Sequence, residues 1–241
     1  MIHRLGIETV PVDESSNDSR VSAEKCAVER VPSSALASGR LFSTRLFCLA
    51  LILASSSAIR RHMLEAAGVE FEVVPSNVDE DRIKSRLTGP EELPSTLAAA
   101  KAEAVSAARP DDWVIGSDSV VAVEGRLFGK PRDREEAAEH LRFFSGKELH
   151  LSSAVALARG GVADWRHLET ARLEVRRLSE AFISDYLDAE WPEVGYTVGV
   201  FRLEARGVQL FEAIDGDHFT ILGMPLLPLL GALRDRGLLA A

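Results

Sequence analysis

The chain has 241 residues, 46% of them hydrophobic and 27% charged, the balance of an ordinary globular protein with ample sequence for a buried core. Asp plus Glu number 37 against 28 Lys plus Arg, a net charge of −9, which argues against sequence-independent nucleic-acid binding but leaves room for a small polyanion where a few cations converge. No apolar run approaches the ~20 residues of a membrane span, and Cys26 and Cys48, outside any C-x-x-C spacing, are read as free thiols of a reducing, cytoplasmic compartment.

Residues 1–46 show no sustained helix or strand period and are expected to be a disordered N-terminal extension to one domain over 47–241. The stretch RLFCLALILA before Ser55 imitates a signal peptide. It begins far from residue 1 and its basic flank is thin, so a buried first strand, LILA, is the better reading. Ala58–Ala67 has helical spacing, with Gly68 suited to stop it. FEVVP at 71–75 reads as a second strand, and Pro94 to Arg109 as an Ala-rich helix. WVIGSDSVVAVEG at 113–125 reads as a strand, a polar interruption, then more strand. Asp133 to Phe144 is helical, with acidic residues in its first turn. Strands are expected at 149–158, 171–175 and 208–214, and helices from Ser179 to about Glu190 and from Pro225 to Leu233. The alternation of helices and strands defines an α/β class.

Several segments can carry chemistry, and each also has an ordinary structural reading. LASSSAIRR at 53–61 runs from a strand through a serine turn into a helix start, where backbone N–H groups favour an anion. Ser55 and Ser57 add hydroxyls, and Arg60 and Arg61 add guanidinium forks. The alternative is an N-capping serine run with solvated arginines. In GSDSVV at 116–121, a carboxylate among apolar neighbours needs a charged partner, a metal ion or a catalytic duty; the alternative is an edge strand whose Asp118 faces water. Lys130 in GKPRD offers a compact charge for phosphate, or is part of a plain turn. Asp79 and Glu80 are adjacent loop carboxylates, fit for Mg²⁺ or for plain surface charge. Lys101 could reach a ligand from its helix or be solvated. The histidines lack zinc spacing, and His218 reads as a turn residue; G-x-S-x-G and the Walker loop are absent.

Four segments in series resemble the Maf family of nucleotide pyrophosphatases: LASSSAIRRHMLEAAGVEFEVVPSNVDE, LAAAKAEAV, GSDSVVAVEGRLFGKPRDREEAAEHLRFFSG and GDHFTILGMPLLPL. The resemblance spans Leu51 to about Leu238. It implies an elongated mixed β-sheet with flanking helices, two lobes and a central cleft, related to inosine-triphosphate pyrophosphatases. It also implies a divalent metal cation (Mg²⁺, Mn²⁺ or Co²⁺) at Glu80 and Asp118, with Asp118 as the catalytic proton acceptor. Phosphate binding falls to Arg60, Lys101 and Lys130, beside Ser55 and Ser57. The expected activity is hydrolysis of a nucleoside triphosphate to monophosphate and pyrophosphate, a house-cleaning of non-standard nucleotides. The family's link to septum formation makes a nucleotide-binding regulator the alternative. The expected partner is that substrate alone, with no nucleic acid and no membrane, and a homodimer is allowed. A Nudix hydrolase is set aside because R-E-x-x-E-E does not occur. Members that prefer dTTP and UTP carry a late Gln where this chain has Glu204. Glu204 resembles the branch that favours 7-methyl-GTP, because a carboxylate accepts from the N1–H and N2–H₂ of guanine. Base specificity is therefore placed at Glu204, Ile59 and Ser119, although that branch usually has Trp at the position of Ile59 and Gln at that of Ser119.

Overall fold

In the computed structural model, residues 50–84 and 92–240 are described, and the extension expected over 1–46 lies outside them. The strands are β1 (Leu51–Leu53), β2 (Glu72–Val73), β3 (Trp113–Val123), β4 (Arg126–Phe128), β5 (Glu148–Arg159), β6 (Val162–Val175) and β7 (Phe211–Asp215). The helices are α1 (Ala58–Ala66), α2 (Glu80–Lys84), α3 (Leu93–Ala108), α4 (Arg134–Phe144), α5 (Glu180–Glu190), α6 (His218–Ile221) and α7 (Leu226–Asp235). Two 3₁₀ turns, Glu193–Tyr196 and Arg206–Leu210, complete the described elements. The strands form one sheet in the order β2-β1-β3-β5-β6-β7, with β4 pairing β3. Pairing is parallel between β1 and its two neighbours and antiparallel elsewhere, so the α/β sheet is mixed.

The long strands β3 and β5 run through three apolar clusters. At one end, α3 packs on one face through Ala98, Ala99 and Ala102 against Val114, Ala154 and Ala156. On the other face of that end, α1 and α7 cover Leu53, Ile115, Val155 and Leu157. At the far end, α4 and α5 cover Val121, Leu149, Leu151 and Leu173. β1 pairs β3 only as far as Ile115, and β4 takes up the same edge only from Val121. Residues 116–120 of β3 therefore have β5 on one side and a gap on the other. That gap lies beyond the carboxyl end of β1, where ligands bind in open α/β sheets.

The sequence-based elements mostly stand, with four corrections. β3 is unbroken: Ser117, Asp118 and Ser119 stay in the ladder opposite Val155, Ala154 and Ser153. It is also an interior strand, so the reading of Asp118 as a water-facing edge residue falls, and Asp118 is only 9% exposed. The second strand shrinks to Glu72–Val73 because its partner β1 is only three residues long. β6 starts at Val162 rather than Ala171, forming one hairpin with β5 through Gly160 and Gly161, both at positive φ. Its polar positions His167 and Glu169 share a face with Ala171, Leu173 and Val175 and hide the alternation from a search for apolar runs. Finally, 206–210 coils into a 3₁₀ turn, and the last strand begins at Phe211.

Candidate active site

β3 sorts its polar run by the two-residue period of a strand. Gly116 and Asp118 face α3; Ser117 and Ser119 face the loop before α7. The approach of α3 is close: a Cβ on Gly116 would sit 2.0 Å from the Ala98 carbonyl oxygen and 2.7 Å from the Ala102 nitrogen. Glycine thus lets the helix descend until Lys101 reaches the strand. Lys101 Nζ donates to Asp118 Oδ1 at 2.6 Å and pairs with Glu80 Oε1 at 2.8 Å. Glu80 opens α2, whose first turn is capped by Asp79 Oδ1 accepting from the Arg82 N–H, and Glu80 also meets Lys84 at 3.2 Å. Partial burial opposes ionisation of the Glu80 carboxyl, but the Lys101 and Lys84 ammonium groups outweigh it and hold its pKa below the ordinary value. Lys101 and Asp118 are nearly buried, with side chains 11% and 12% exposed, so this pair works in a medium where charge is poorly screened.

On the opposite face, Arg60 comes up from α1. Its Nε donates to the Gly223 carbonyl at 2.9 Å, Nη1 to the Ser117 carbonyl at 3.0 Å and to Ser55 Oγ at 3.4 Å, and Nη2 to Ser119 Oγ at 3.0 Å. Most of its fork is thus engaged within the protein. Burial pulls its pKa down and the Asp118 and Glu80 carboxylates push it back up; a guanidinium so far above neutrality stays charged. The Gly223 carbonyl also accepts from Ser117 Oγ at 3.1 Å. Ser119 Oγ lies 3.1 Å from Gly223 O and 2.9 Å from Ser153 Oγ, which itself donates to Thr220 O at 2.7 Å. A hydroxyl has one proton, so Ser119 spends it on one of these neighbours while accepting from Arg60.

Ser55, Arg60, Glu80, Lys84, Lys101, Asp118, Ser119 and Gly223 of this network line a cleft of about 1230 Å³. All ten residues singled out in the sequence line it: Ser55, Ser57, Ile59, Arg60, Glu80, Lys101, Asp118, Ser119, Lys130 and Glu204. Two further candidates do not. Arg61 is exposed on the outer face of α1 and meets Glu65 at 3.7 Å, since consecutive helical residues do not share a face. Asp79 serves as a cap. Lys130 and Glu204 are exposed and have no hydrogen bond or ion pair among the described residues. The segment carrying Glu204 is fixed from beneath. Val200 is fully buried at φ 58, a costly conformation for a β-branched residue, and its carbonyl accepts from Tyr186 Oη at 3.0 Å. Sequence reasoning missed Ser117, Ser153, Gly223, Lys84 and Tyr196. Strand alternation within GSDS could have separated the serines from the aspartate, and the four-residue step from Glu80 could have found Lys84.

The carboxylates fit a hard divalent cation. Mg²⁺ typically takes one or two carboxylates and completes its shell with water and substrate phosphate. Glu80 and Asp118 share one ammonium, and Asp118 Oδ2 accepts no hydrogen bond from the described residues.

Fold and site together define a mixed α/β protein whose sheet gap gathers one buried and one half-exposed carboxylate with fixed cations, an arrangement suited to a polyphosphate. The model of the family described as Maf-like protein matches residues 50–236, and the chain belongs to that family. A 7-methyl-GTP pyrophosphatase of Rhizobium etli is 47% identical over 191 residues, covering 78% of this chain and 96% of that protein. A nucleoside triphosphate pyrophosphatase of Granulibacter bethesdensis is 47% identical over 189 residues, covering 77% and 96%. Among solved structures, the Ham1 protein of Staphylococcus aureus is similar at a TM-score of 0.42 and 15% identity, over 78% of this chain and 98% of that one. No helix among the described residues is long and apolar enough to cross a membrane.

Proposed function

We propose that this protein hydrolyses nucleoside triphosphates to the monophosphate and pyrophosphate, with 7-methyl-GTP its preferred substrate class. The observation that carries the reading is the Glu80–Lys101–Asp118 bridge in the wall of a cleft that also presents Arg60 and Lys130. Asp118 lends its free oxygen, Oδ2, to the attacking water and accepts its proton as the new oxygen–Pα bond forms. The bond from Pα to the oxygen bridging to Pβ breaks, and pyrophosphate leaves with that electron pair. Lys101 pairs with Asp118 through Oδ1 and aims it. Arg60 and Lys130 oppose the charge on the departing phosphates, Arg60 as a fixed cation and Lys130 as a mobile one. A divalent cation held by Glu80 and Asp118 would supply further charge neutralisation on the phosphate oxygens.

Ser119 acts on Arg60, holding it, so base selection rests on Glu204. Recognition of a guanine edge suits a cytoplasmic enzyme that removes non-standard nucleotides; one relative's name supports the 7-methyl-GTP reading and another's the nucleoside triphosphate pyrophosphatase reading. Pyrophosphate release from 7-methyl-GTP, GTP, dTTP and UTP, each with Mg²⁺ or Mn²⁺, tests it. The expected order puts 7-methyl-GTP first. A preference for dTTP or UTP removes the base assignment, and no release from any triphosphate removes the activity.

A further inference from the structure

Three aromatic residues line the described cleft. Phe128 and Phe201 are each 5% exposed and belong to the core; Tyr196 is 69% exposed, the most exposed of the large hydrophobic side chains in the described part of the chain. It has no hydrogen bond and no ring partner among the described residues. A mobile surface tyrosine would be unremarkable, but the backbone beneath this one is tied down. Val194 is wholly buried in the core. Gly195 lies against Trp191, where an added Cβ would meet the indole at 2.9 Å. Thr197 Oγ1 donates to Val194 O at 2.9 Å, and the Gly195 N–H donates to Pro192 O at 2.9 Å. A fixed turn thus holds a bare ring over the cleft. Elsewhere on the lining, Ile59 offers no π face, and Leu127, 43% exposed, offers an aliphatic one.

We infer that Tyr196 is the stacking platform for the base, and that its π face selects a cationic purine over a neutral one. The proposal rests on the nucleotide reading above and adds the recognition of charge. Methylation at N7 leaves the guanine ring system with a formal positive charge. A ring quadrupole attracts a cation placed over its face, and more strongly where water is excluded. Glu204 can accept from the guanine edge, but GTP and 7-methyl-GTP share the N1–H and N2–H₂ donors, so edge recognition alone separates them poorly. The face of the base is where the two differ most in charge, and Tyr196 is the exposed aromatic face the cleft provides.

The test is equilibrium binding by calorimetry without divalent metal, so that turnover is not needed, for 7-methyl-GTP, GTP and UTP with wild type and the variants Tyr196→Ala, Tyr196→Phe and Tyr196→Trp. Tyr196→Ala is expected to weaken 7-methyl-GTP roughly tenfold to a hundredfold, the range of one base–aromatic stack. The loss should be smaller for GTP and smallest for UTP. Tyr196→Phe should keep wild-type selectivity, because the hydroxyl has no assigned role, and Tyr196→Trp should match or exceed it. A loss equal across the three nucleotides, or no loss, overturns the proposal; so does a Phe variant that behaves like Ala. A graded loss in a protein whose wild type favours UTP keeps Tyr196 as the platform and removes only the Glu204 assignment.

Discussion

In the lining of the cleft, Arg60 makes four hydrogen bonds and Lys101 bridges two carboxylates. Elsewhere on its lining, Lys130, Tyr196 and Glu204 are exposed and make no hydrogen bond or ion pair among the described residues. On the function proposed above, the difference follows from what each group of residues has to recognise. Charge on phosphate is common to every nucleoside triphosphate, and fixed cations in a weakly screened site stabilise it without reorganising during reaction. The base varies between substrates, and unpaired groups facing water leave its recognition to be completed by the ligand. The engaged groups should therefore respond to mutation through stability and turnover together, and the exposed Tyr196 and Glu204 through selectivity alone.

The largest effect is expected at Asp118. Asp118→Asn should lower turnover by roughly a thousandfold while leaving the circular-dichroism melt close to wild type, because Asn keeps the shape and Lys101 retains Glu80. A folded variant with most of its activity would take Asp118 out of the mechanism. Lys101→Met comes next and acts on the reaction through the bridge. It leaves the nearly buried Asp118 without its ammonium partner, a change that costs about 3–5 kcal/mol in such settings. Urea unfolding should show the loss, with a matching fall in turnover; unchanged stability would mean that the two carboxylates tolerate each other unaided.

Gly116→Ala probes the same engaged groups through the backbone. The new Cβ, 2.0 Å from the Ala98 carbonyl in the present geometry, must push α3 outward. A cost of about 1–3 kcal/mol is expected, together with reduced turnover as Lys101 withdraws from Asp118. Full activity at reduced stability would show that the bridge does not depend on helix approach. Among the exposed residues, Glu204→Gln should change the 7-methyl-GTP to UTP ratio of kcat/KM by about tenfold with no shift in Tm, since an amide both donates and accepts. An unmoved ratio would clear Glu204 of base selection.

The smallest effect belongs to His140, behind the far core. It packs edge-on to Phe128 at 5.0 Å between ring centroids, and its Nδ1 is buried without a hydrogen-bond partner among the described residues. Burial lowers its pKa from the ordinary 6.5, with the Glu136 carboxylate opposing. The unfolded chain therefore takes up this proton at a higher pH than the folded one. Its contribution to stability is full above about pH 6.5 and declines as the pH falls below that toward the folded value. His140→Phe should flatten the acid side of the Tm–pH curve; an unchanged slope would assign it to other groups.

Sequence alone determined a good deal here. Helix α4 was legible because Asp133, which caps it by accepting from the Glu136 N–H, and the acidic first turn are local signals. Seven of the ten cleft residues, Ser55, Ser57, Arg60, Glu80, Lys101, Asp118 and Lys130, were legible as polar groups with a possible chemical use, whereas Ile59, Ser119 and Glu204 came only from the resemblance to the family. Tertiary structure alone decided which of them touch. Asp118 and Ser119 are neighbours in sequence, yet strand alternation sends one to Lys101 and the other to Arg60. Gly223 is 163 positions from Arg60 and supplies its Nε acceptor. Tyr196 in the sequence is one more aromatic residue, and only the folded chain shows that the core of the described residues leaves it 69% exposed. A local pattern can say that a residue must find a partner or a solvent; long-range packing chooses which, because close approach depends on backbones that meet only after the sheet is assembled.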